Sequence, residues 1–348
     1  MKLYDEQGYF NFEGVRNLGL PLSIICGGRG TGKTYGAIKS AVYDNPSKFI
    51  FMRRQQTQVD VISSPEFSPF TPVAHDMGKE LAVKAISKNC YGVYETGENQ
   101  DGELVAFGSP LGYCLALSTF SNLRGFDASE VDILILDEFI PETHERGIKA
   151  EGDALANVIE TINRNREIKG CKPLQVFLLA NANNLANDIF VTLGIVAKVA
   201  QMKEKGQECS INKELGLGIF LLEDSPISKK KRETAFYKIF GGGNFAKMAL
   251  DNDFIGFSGN QIKSCSLREF SPLVAVGELT IYESRGNRDK IYVSTTFQPC
   301  RDVYTSSTND LRAFKLRYRW LFLAHLERRV WFENATAQVL FEKYFETR

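Results

Sequence analysis

Eight consecutive residues near the N-terminus have the types and spacing of a phosphate-binding loop. Glycines there let the backbone wrap around an anion with its N–H groups pointing inward, and a helix that starts at the loop adds a favourable dipole. We expect Lys33 to reach the β- and γ-phosphates of a nucleotide and the Thr34 hydroxyl to ligate Mg²⁺. The loop fits G-x-x-x-x-G-K-[ST] at every fixed position and consists of Gly27, Gly28, Arg29, Gly30, Thr31, Gly32, Lys33 and Thr34.

A chance glycine-rich turn is the alternative interpretation of these eight residues. The motif requires a strand before the loop and a helix after it. The apolar run at residues 22–26 predicts the strand, and the pattern at residues 33–43 predicts the helix. The context therefore favours a nucleotide site.

Two adjacent carboxylates, Asp137 and Glu138, follow the most apolar run of the chain at residues 133–136. In P-loop enzymes an acid at such a strand end holds the Mg²⁺ shell, and we assign that role to Asp137. A second carboxylate directly after it, Glu138, can orient and deprotonate the attacking water. A surface Asp-Glu turn is the alternative, but the aliphatic run and the upstream loop favour hydrolysis of ATP.

Asn181 directly follows another apolar run, at residues 176–180. From this position it can contact the γ-phosphate as a sensor. The alternative is a turn residue, because further asparagines follow at 183, 184 and 187.

The pattern of elements indicates an α/β fold with a three-layer, mostly parallel sheet. Continuously apolar strands that alternate with helices are typical of parallel sheets covered on both faces. The order of the motifs predicts an extra strand between the P-loop strand and the acidic strand, as in the additional-strand catalytic-glutamate ATPases. The predicted strands lie at 22–26, 49–52, 133–136 and 176–180, the helices at 33–43 and 152–167, and antiparallel hairpins at 86–118.

The pattern changes after residue 200, which divides the chain into three predicted domains. Residues 1–200 form the ATPase domain, residues 201–240 a linker, and residues 241–348 a C-terminal domain. The linker contains a basic run at 229–232 that we interpret as solvated. In the last domain we expect strands and then a helical end that holds Trp320 and Trp331.

Composition limits the other classes of function. The chain has 348 residues, a formal net charge of zero, seven cysteines without a CxxC pair and three histidines, which argues against a disulfide framework or a zinc site. It lacks an apolar run of about 18 residues and a secretory signal, so we expect a cytoplasmic protein without membrane contact. Neutral charge argues mildly against tight passive binding of nucleic acid, although positive charge can be concentrated at one surface.

An ordered set of motifs resembles the DNA-packaging ATPases of phi29-type bacteriophages. The resemblance covers most of the chain. Its segments are GGRGTGKT at 27–34, FIFMRR at 49–54, LDEFI at 136–140, NRNRE at 163–167, LANA at 179–182 and MALDNDFIG at 248–256.

The resemblance implies an architecture and a set of partners. It implies an additional-strand catalytic-glutamate ATPase domain, a small linker domain and a C-terminal α+β domain like a degenerate RNase H nuclease. It also implies a homopentameric ring around double-stranded DNA, in the host cytoplasm and docked transiently at the portal of a procapsid, in some relatives with a structural packaging RNA.

Arginines gain possible roles from the same resemblance. Arg164 corresponds to an arginine finger that acts across the subunit interface. Without the resemblance, we would interpret Arg164 as a solvated charge on the face of a helix. Arg29 resembles a P-loop arginine of many viral packaging motors, and Arg124 resembles a motif residue of large terminases. For Arg53 and Arg54, contacts with DNA phosphate, with nucleotide or with a neighbouring acid are equally open.

The C-terminal domain is expected to be an inactive nuclease that serves as a docking or DNA-contact module. An active nuclease of this kind needs clustered carboxylates that hold two metals. The strand predicted at 274–281 lacks the inward aspartate, and Glu278, Glu283 and Asp289 form no clear cluster by spacing. A large terminase with a working nuclease, a non-motor P-loop nucleotide kinase and a nucleotide-gated assembly protein remain the alternative functions.

Overall fold

The computed structural model describes residues 1–98, 104–123, 125–142, 145, 147–181, 185, 187–223, 225–240, 261–287 and 289–346. The chain divides into two compact units. Unit 1 comprises Met1–Asn183 and Gly206–Ile255, and unit 2 comprises Asn184–Lys205 and Gly256–Arg348. Of the sequence motifs, Arg124 and the segment 248–256 lie outside the described residues.

Unit 1 is built on a nine-stranded sheet with the strand order β3-β4-β5-β2-β6-β7-β1-β9-β8. The neighbours from β5 to β9 pair in parallel, whereas β3, β4 and β5 form antiparallel pairs and β8 is antiparallel to β9. The strands are β1 (Leu22–Gly27), β2 (Phe49–Arg53), β3 (Glu80–Ser87), β4 (Cys90–Glu98), β5 (Leu104–Ala116), β6 (Ile133–Asp137), β7 (Gln175–Ala180), β8 (Cys209–Asn212) and β9 (Leu217–Leu222).

The described helices alternate with these strands in unit 1 and complete unit 2. A π-helical turn, Ser40–Asp44, extends the helix that follows the P-loop. The helices are α1 (Phe12–Arg16), α2 (Lys33–Lys39), α3 (Gln56–Asp60), α4 (Phe70–Asp76), α5 (Glu151–Asn163), α6 (Asp188–Thr192), α7 (Val196–Glu204), α8 (Pro226–Arg232), α9 (Ala235–Phe240), α10 (Thr308–Leu326) and α11 (Ala335–Glu346).

The central strands are apolar because both faces of the sheet are covered. All five residues of β6 are buried, as are all residues of β1 and β7 after their first. Strand β7 lies between β1 and β6, which confirms the predicted extra strand. The α/β prediction with a mostly parallel sheet and an antiparallel hairpin region is thus confirmed.

Residues 206–222 differ from the predicted linker. Strands β8 and β9 extend the main sheet, and β9 pairs in parallel with β1 from Leu22↔Leu217 to Gly27↔Leu222. The physical reason is the apolar sequence of β9, whose last five residues are buried. Helix α6 and the first part of α7 fall within the predicted ATPase domain, but both helices belong to unit 2.

Unit 2 contains a five-stranded mixed sheet in the order β13-β10-β11-β12-β14, with helices packed on it. Trp320 lies on α10 as predicted, but Trp331 lies in the short strand β14, where apolar neighbours pair with β12. The predicted α+β character is confirmed. The strands are β10 (Phe270–Val276), β11 (Leu279–Ser284), β12 (Ile291–Ser294), β13 (Asp302–Tyr304) and β14 (Val330–Phe332).

Among the described residues, no helix is both long enough and apolar enough to cross a membrane.

Candidate active site

The P-loop connects the end of β1 to the start of α2, as the motif requires. Gly30 has φ +66° and Gly32 has φ +90°, a region that residues with a Cβ rarely adopt. Gly27 lies against Leu222 of β9, where a Cβ would approach the leucine side chain to 2.8 Å. The glycines are therefore needed for the curvature of the loop and for its close packing on the sheet.

Lys33 is 7% exposed and its ammonium lies inside the loop. The Nζ atom donates to the backbone oxygens of Gly27 and Gly28, each at 2.9 Å. Burial lowers the pKa of Lys33 to about 8, Asp137 opposes this effect, and the ammonium of Lys231 adds to it. Among the described residues, the hydrogen bonds of this buried cation all go to neutral oxygens, including the Thr31 hydroxyl at 3.3 Å, so the ammonium is well suited to an anionic ligand.

Asn181 lies at the same place, directly after β7. Its Oδ1 atom accepts a hydrogen bond of 3.3 Å from Lys33 Nζ. The amide is thus beside the lysine that we expect to contact phosphate, which is the position required for the predicted sensor.

Thr34 and Asp137 come together although 103 residues separate them. Thr34 Oγ1 lies 3.0 Å from Oδ1 and 2.9 Å from Oδ2 of Asp137. Asp137 is 2% exposed. A hydroxyl and a carboxylate are hard oxygen ligands of the type that Mg²⁺ prefers, so the residues present fit the ion.

Glu138 follows directly, with a positive φ of +56°. The side chain of Glu138 is about half exposed. Partial burial raises the pKa of Glu138, while the positive charge of Arg53 lowers it and nearby carboxylates raise it. A raised pKa makes a carboxylate a better proton acceptor while it stays ionised.

Arg53 bridges the two acids from the end of β2. Its Nη2 atom lies 3.1 Å from Asp137 Oδ2, and its Nη1 atom is hydrogen-bonded to Glu138 Oε2. Of the three partners left open by the sequence, a neighbouring acid is therefore the one that Arg53 has in this structure.

Arg54, the residue directly after β2, is fully buried. Its Nε and Nη2 atoms contact the two oxygens of Glu151 at 2.6 and 2.9 Å, and Nη1 contacts Glu145 at 2.9 Å. Of the three partners left open by the sequence, a neighbouring acid is the one that Arg54 has in this structure, because two carboxylates enclose its guanidinium away from solvent.

Arg29, in the P-loop, forms an ion pair with Glu142. Both side chains are about one-third exposed. The pair joins the P-loop to the segment that follows Glu138.

Arg164 is exposed and follows the last residue of α5 with φ +43°. Its Nε atom donates to the backbone oxygen of Thr161 at 3.0 Å. The structure thus presents Arg164 at the surface rather than with the P-loop residues of its own chain, and its assignment as a finger stays a prediction.

Sequence reasoning missed four residues around the site. Three of them are acids that lie 4 to 13 residues after Glu138: Glu142, Glu145 and Glu151. Their acidic side chains were the only sign in the sequence that they could take part in the site. Lys231 belongs to the basic run at 229–232 that we interpreted as solvated, but it donates to the P-loop backbone.

Known proteins match the chain over most of its length. The family model of the Podovirus DNA encapsidation protein (Gp16) matches residues 4–320. The DNA packaging proteins of Bacillus phages phi29 and PZA are each 26% identical over 317 residues, covering 88% of this chain and 85% of the relative.

Solved structures agree with this result. The bacteriophage Phi-29 viral genome packaging motor assembly contains a chain with the same fold, with a TM-score of 0.65, 22% identity and coverage of 98% and 99%. The Phi-28 gp11 DNA packaging motor matches with a TM-score of 0.62, 17% identity and coverage of 97% of each chain. The resemblance found in the sequence is confirmed, and this chain belongs to the Podovirus DNA encapsidation protein (Gp16) family.

Proposed function

We propose that this chain is an ATP hydrolase that drives double-stranded DNA into a viral procapsid. The observation that carries the catalytic part is the meeting of Thr34 with Asp137 beside the buried ammonium of Lys33. The part that concerns DNA is supported by family membership and by relatives that are named DNA packaging proteins.

The residues divide the chemistry of hydrolysis among them. The P-loop backbone and Lys33 bind the phosphates of ATP, and Thr34 and Asp137 hold Mg²⁺, which neutralises charge on the phosphate oxygens when bound. Glu138 orients a water molecule and accepts its proton at a carboxylate oxygen. Asn181 and Arg29 lie beside the phosphate site, where Asn181 senses the γ-phosphate and Arg29 responds to nucleotide in its own chain.

Arg53 favours the ionised form of Glu138. Its guanidinium contacts both Asp137 and Glu138. The positive charge favours the ionised form of Glu138, and only that form can accept a proton.

A ring of identical subunits, most simply a pentamer, is the proposed working form. In this ring Arg164 reaches the nucleotide of the neighbouring subunit and stabilises charge on the transferring phosphoryl group, an effect on the order of a thousandfold or more in rate in enzymes with such fingers. The exposed position of Arg164 at the end of α5 supports this role.

The proposed partners are double-stranded DNA, the portal of the procapsid and, as in some relatives, a structural packaging RNA. Residues 241–348 serve as an inactive nuclease-like module that docks or contacts DNA. The protein acts in the host cytoplasm, transiently at the procapsid vertex.

The test measures ATP hydrolysis with and without double-stranded DNA, and then ATP-dependent protection of DNA inside procapsids. We expect hydrolysis that DNA stimulates and encapsidation that Lys33→Ala abolishes. Phosphate transfer to a small acceptor without any effect of DNA would contradict the proposal. Cleavage of plasmid DNA in Mg²⁺ or Mn²⁺ would contradict the inactive-nuclease part.

A further inference from the structure

Lys231 of helix α8 reaches the P-loop of unit 1. Its Nζ atom donates to the backbone oxygen of Arg29 at 2.7 Å. The ammonium also lies against Gly30, where a methyl group in place of the glycine hydrogen would collide with it. A second lysine side chain is therefore present at the loop that carries Lys33.

The N-terminal segment holds α8 in this position. A Cβ on Gly8 would approach the Cβ of Pro226, the first residue of α8, to 2.8 Å, and Gly8 has φ +93°. The same segment binds the P-loop, because the N–H of Phe10 donates to the oxygen of Thr31 at 2.8 Å. Helix α8, the N-terminal segment and the P-loop thus form one packed assembly within unit 1.

Placing two ammonium groups at one concave loop is electrostatically unfavourable unless an anion binds there. Burial lowers the pKa of Lys231, and its ammonium lies at the same loop whose backbone oxygens hold the ammonium of Lys33. Like charges at a partly desolvated site repel each other, and a polyanion relieves the repulsion. The Arg29 oxygen needs only one of the three N–H groups of Lys231, and the flexible side chain can turn the ammonium toward a ligand.

The geometry points to a role for Lys231 as a second phosphate-binding lysine of the nucleotide site, through which bound nucleotide is linked to helix α8. This inference rests on the proposed ATP site and extends it. Helix α8 precedes α9 in the chain, and both follow β9, the strand that pairs with β1 beside the P-loop. A nucleotide contact on α8 therefore connects the ATP site to the helices that follow the main sheet of unit 1.

The neighbouring lysine provides a matched control. Lys230 is exposed, and its Nζ atom lies 3.4 Å from the backbone oxygen of Gln7 rather than at the P-loop. Lys230→Met and Lys231→Met remove the same charge from the same helix and keep a similar aliphatic stem. A difference in ligand affinity between the two variants therefore reports the position of the lost ammonium and not the change in net charge.

Calorimetric titration with Mg²⁺ and a non-hydrolysable ATP analogue, and separately with inorganic tripolyphosphate, tests the assignment. We expect Lys231→Met to weaken binding of both ligands by about three- to tenfold, the range for loss of one partly exposed charge-assisted contact. Lys230→Met should change both affinities by less than about twofold, and Lys231→Arg should retain most of the wild-type affinity. Unchanged affinities in Lys231→Met would overturn the inference, as would weaker binding of the analogue with unchanged binding of tripolyphosphate.

Hydrogen exchange on the same proteins tests the link to α8. In the wild type the analogue should slow exchange both at residues 27–34 and at residues 226–232. In Lys231→Met the protection of the P-loop should remain, and that of α8 should be lost. Equal protection of α8 in both proteins would overturn the link while the ATP site stands, whereas a wild type that binds neither ligand would overturn the proposed function itself.

Discussion

Replacing Arg54 by methionine is expected to lower the free energy of unfolding of unit 1 by about 3 kcal/mol, since removing one partner of a buried ion pair typically costs about 3–5 kcal/mol. The guanidinium is fully buried and makes three hydrogen bonds to Glu145 and Glu151. The low end of the range applies for two reasons. The side chain of Glu145 is 26% exposed and can turn to water, and Glu151 lies in the first turn of α5, where the helix dipole favours negative charge.

Urea unfolding followed by two signals measures this loss. Both tryptophans, Trp320 and Trp331, lie in unit 2, so their fluorescence reports that unit, and circular dichroism reports the whole chain. The dichroism transition should move to lower urea in Arg54→Met. The fluorescence transition should move less.

Two further variants make the test specific. The double variant Arg54→Met/Glu151→Gln leaves no uncompensated charge at Glu151 and should recover part of the loss. Lys79→Met removes an exposed pair with Glu95 (3.2 Å, side chains 48% and 47% exposed) and should cost less than about 1 kcal/mol. If Arg54→Met costs no more than Lys79→Met, and DNA binding falls instead, the buried-pair interpretation is refuted and a contact with DNA phosphate is favoured among the three alternatives.

Four other predictions concern catalysis. Glu138→Gln should keep nucleotide binding and reduce turnover by at least about a hundredfold, the usual contribution of a general base; near-normal turnover would remove Glu138 from that role. Arg53→Met removes the charge that lowers the pKa of Glu138, so that pKa should rise further. The ATPase rate should therefore fall more at pH 6 than at pH 8. An equal decrease of the rate at the two pH values would contradict this cause. Burial lowers the pKa of Lys33 to about 8, and bound phosphate should raise it. Nucleotide binding should therefore take up protons, and the affinity should fall as the pH rises above 8. Calorimetry near pH 8 in two buffers of different ionisation enthalpy measures this proton uptake. A binding enthalpy that is the same in both buffers would contradict the prediction. Arg164→Ala subunits mixed with Glu138→Gln subunits should recover some ATPase activity, because intact halves of one interface can meet; no recovery at any ratio would argue against a finger in trans.

The central part of the fold could be predicted because its signals are local. Each central strand is a short apolar run, and the ends of parallel strands meet at one edge of a sheet. That rule is sufficient to bring Lys33, Thr34, Asp137 and Asn181 together, as the structure does.

Contacts between distant segments were not predictable in the same way. Strand β9 pairs with β1 although about 195 residues separate them, and the basic run and glycines that follow β9 in the sequence favoured a linker. Burial of Arg54 and the approach of Lys231 to the P-loop depend on how loops and helices pack. A charged side chain gives the same signal in a sequence whether it is solvated, paired or aimed at a ligand.

The measurement that tests the account most directly is a structure with Mg²⁺ and a non-hydrolysable ATP analogue. We expect Thr34 Oγ1 and the Asp137 carboxylate to contact one ion or its bound waters, with direct ligands at about 2.1 Å. Lys33 Nζ should leave the oxygens of Gly27 and Gly28 for the phosphates. Phosphates bound elsewhere, or Thr34 and Asp137 too far apart to share the ion, would contradict the assignment of this site.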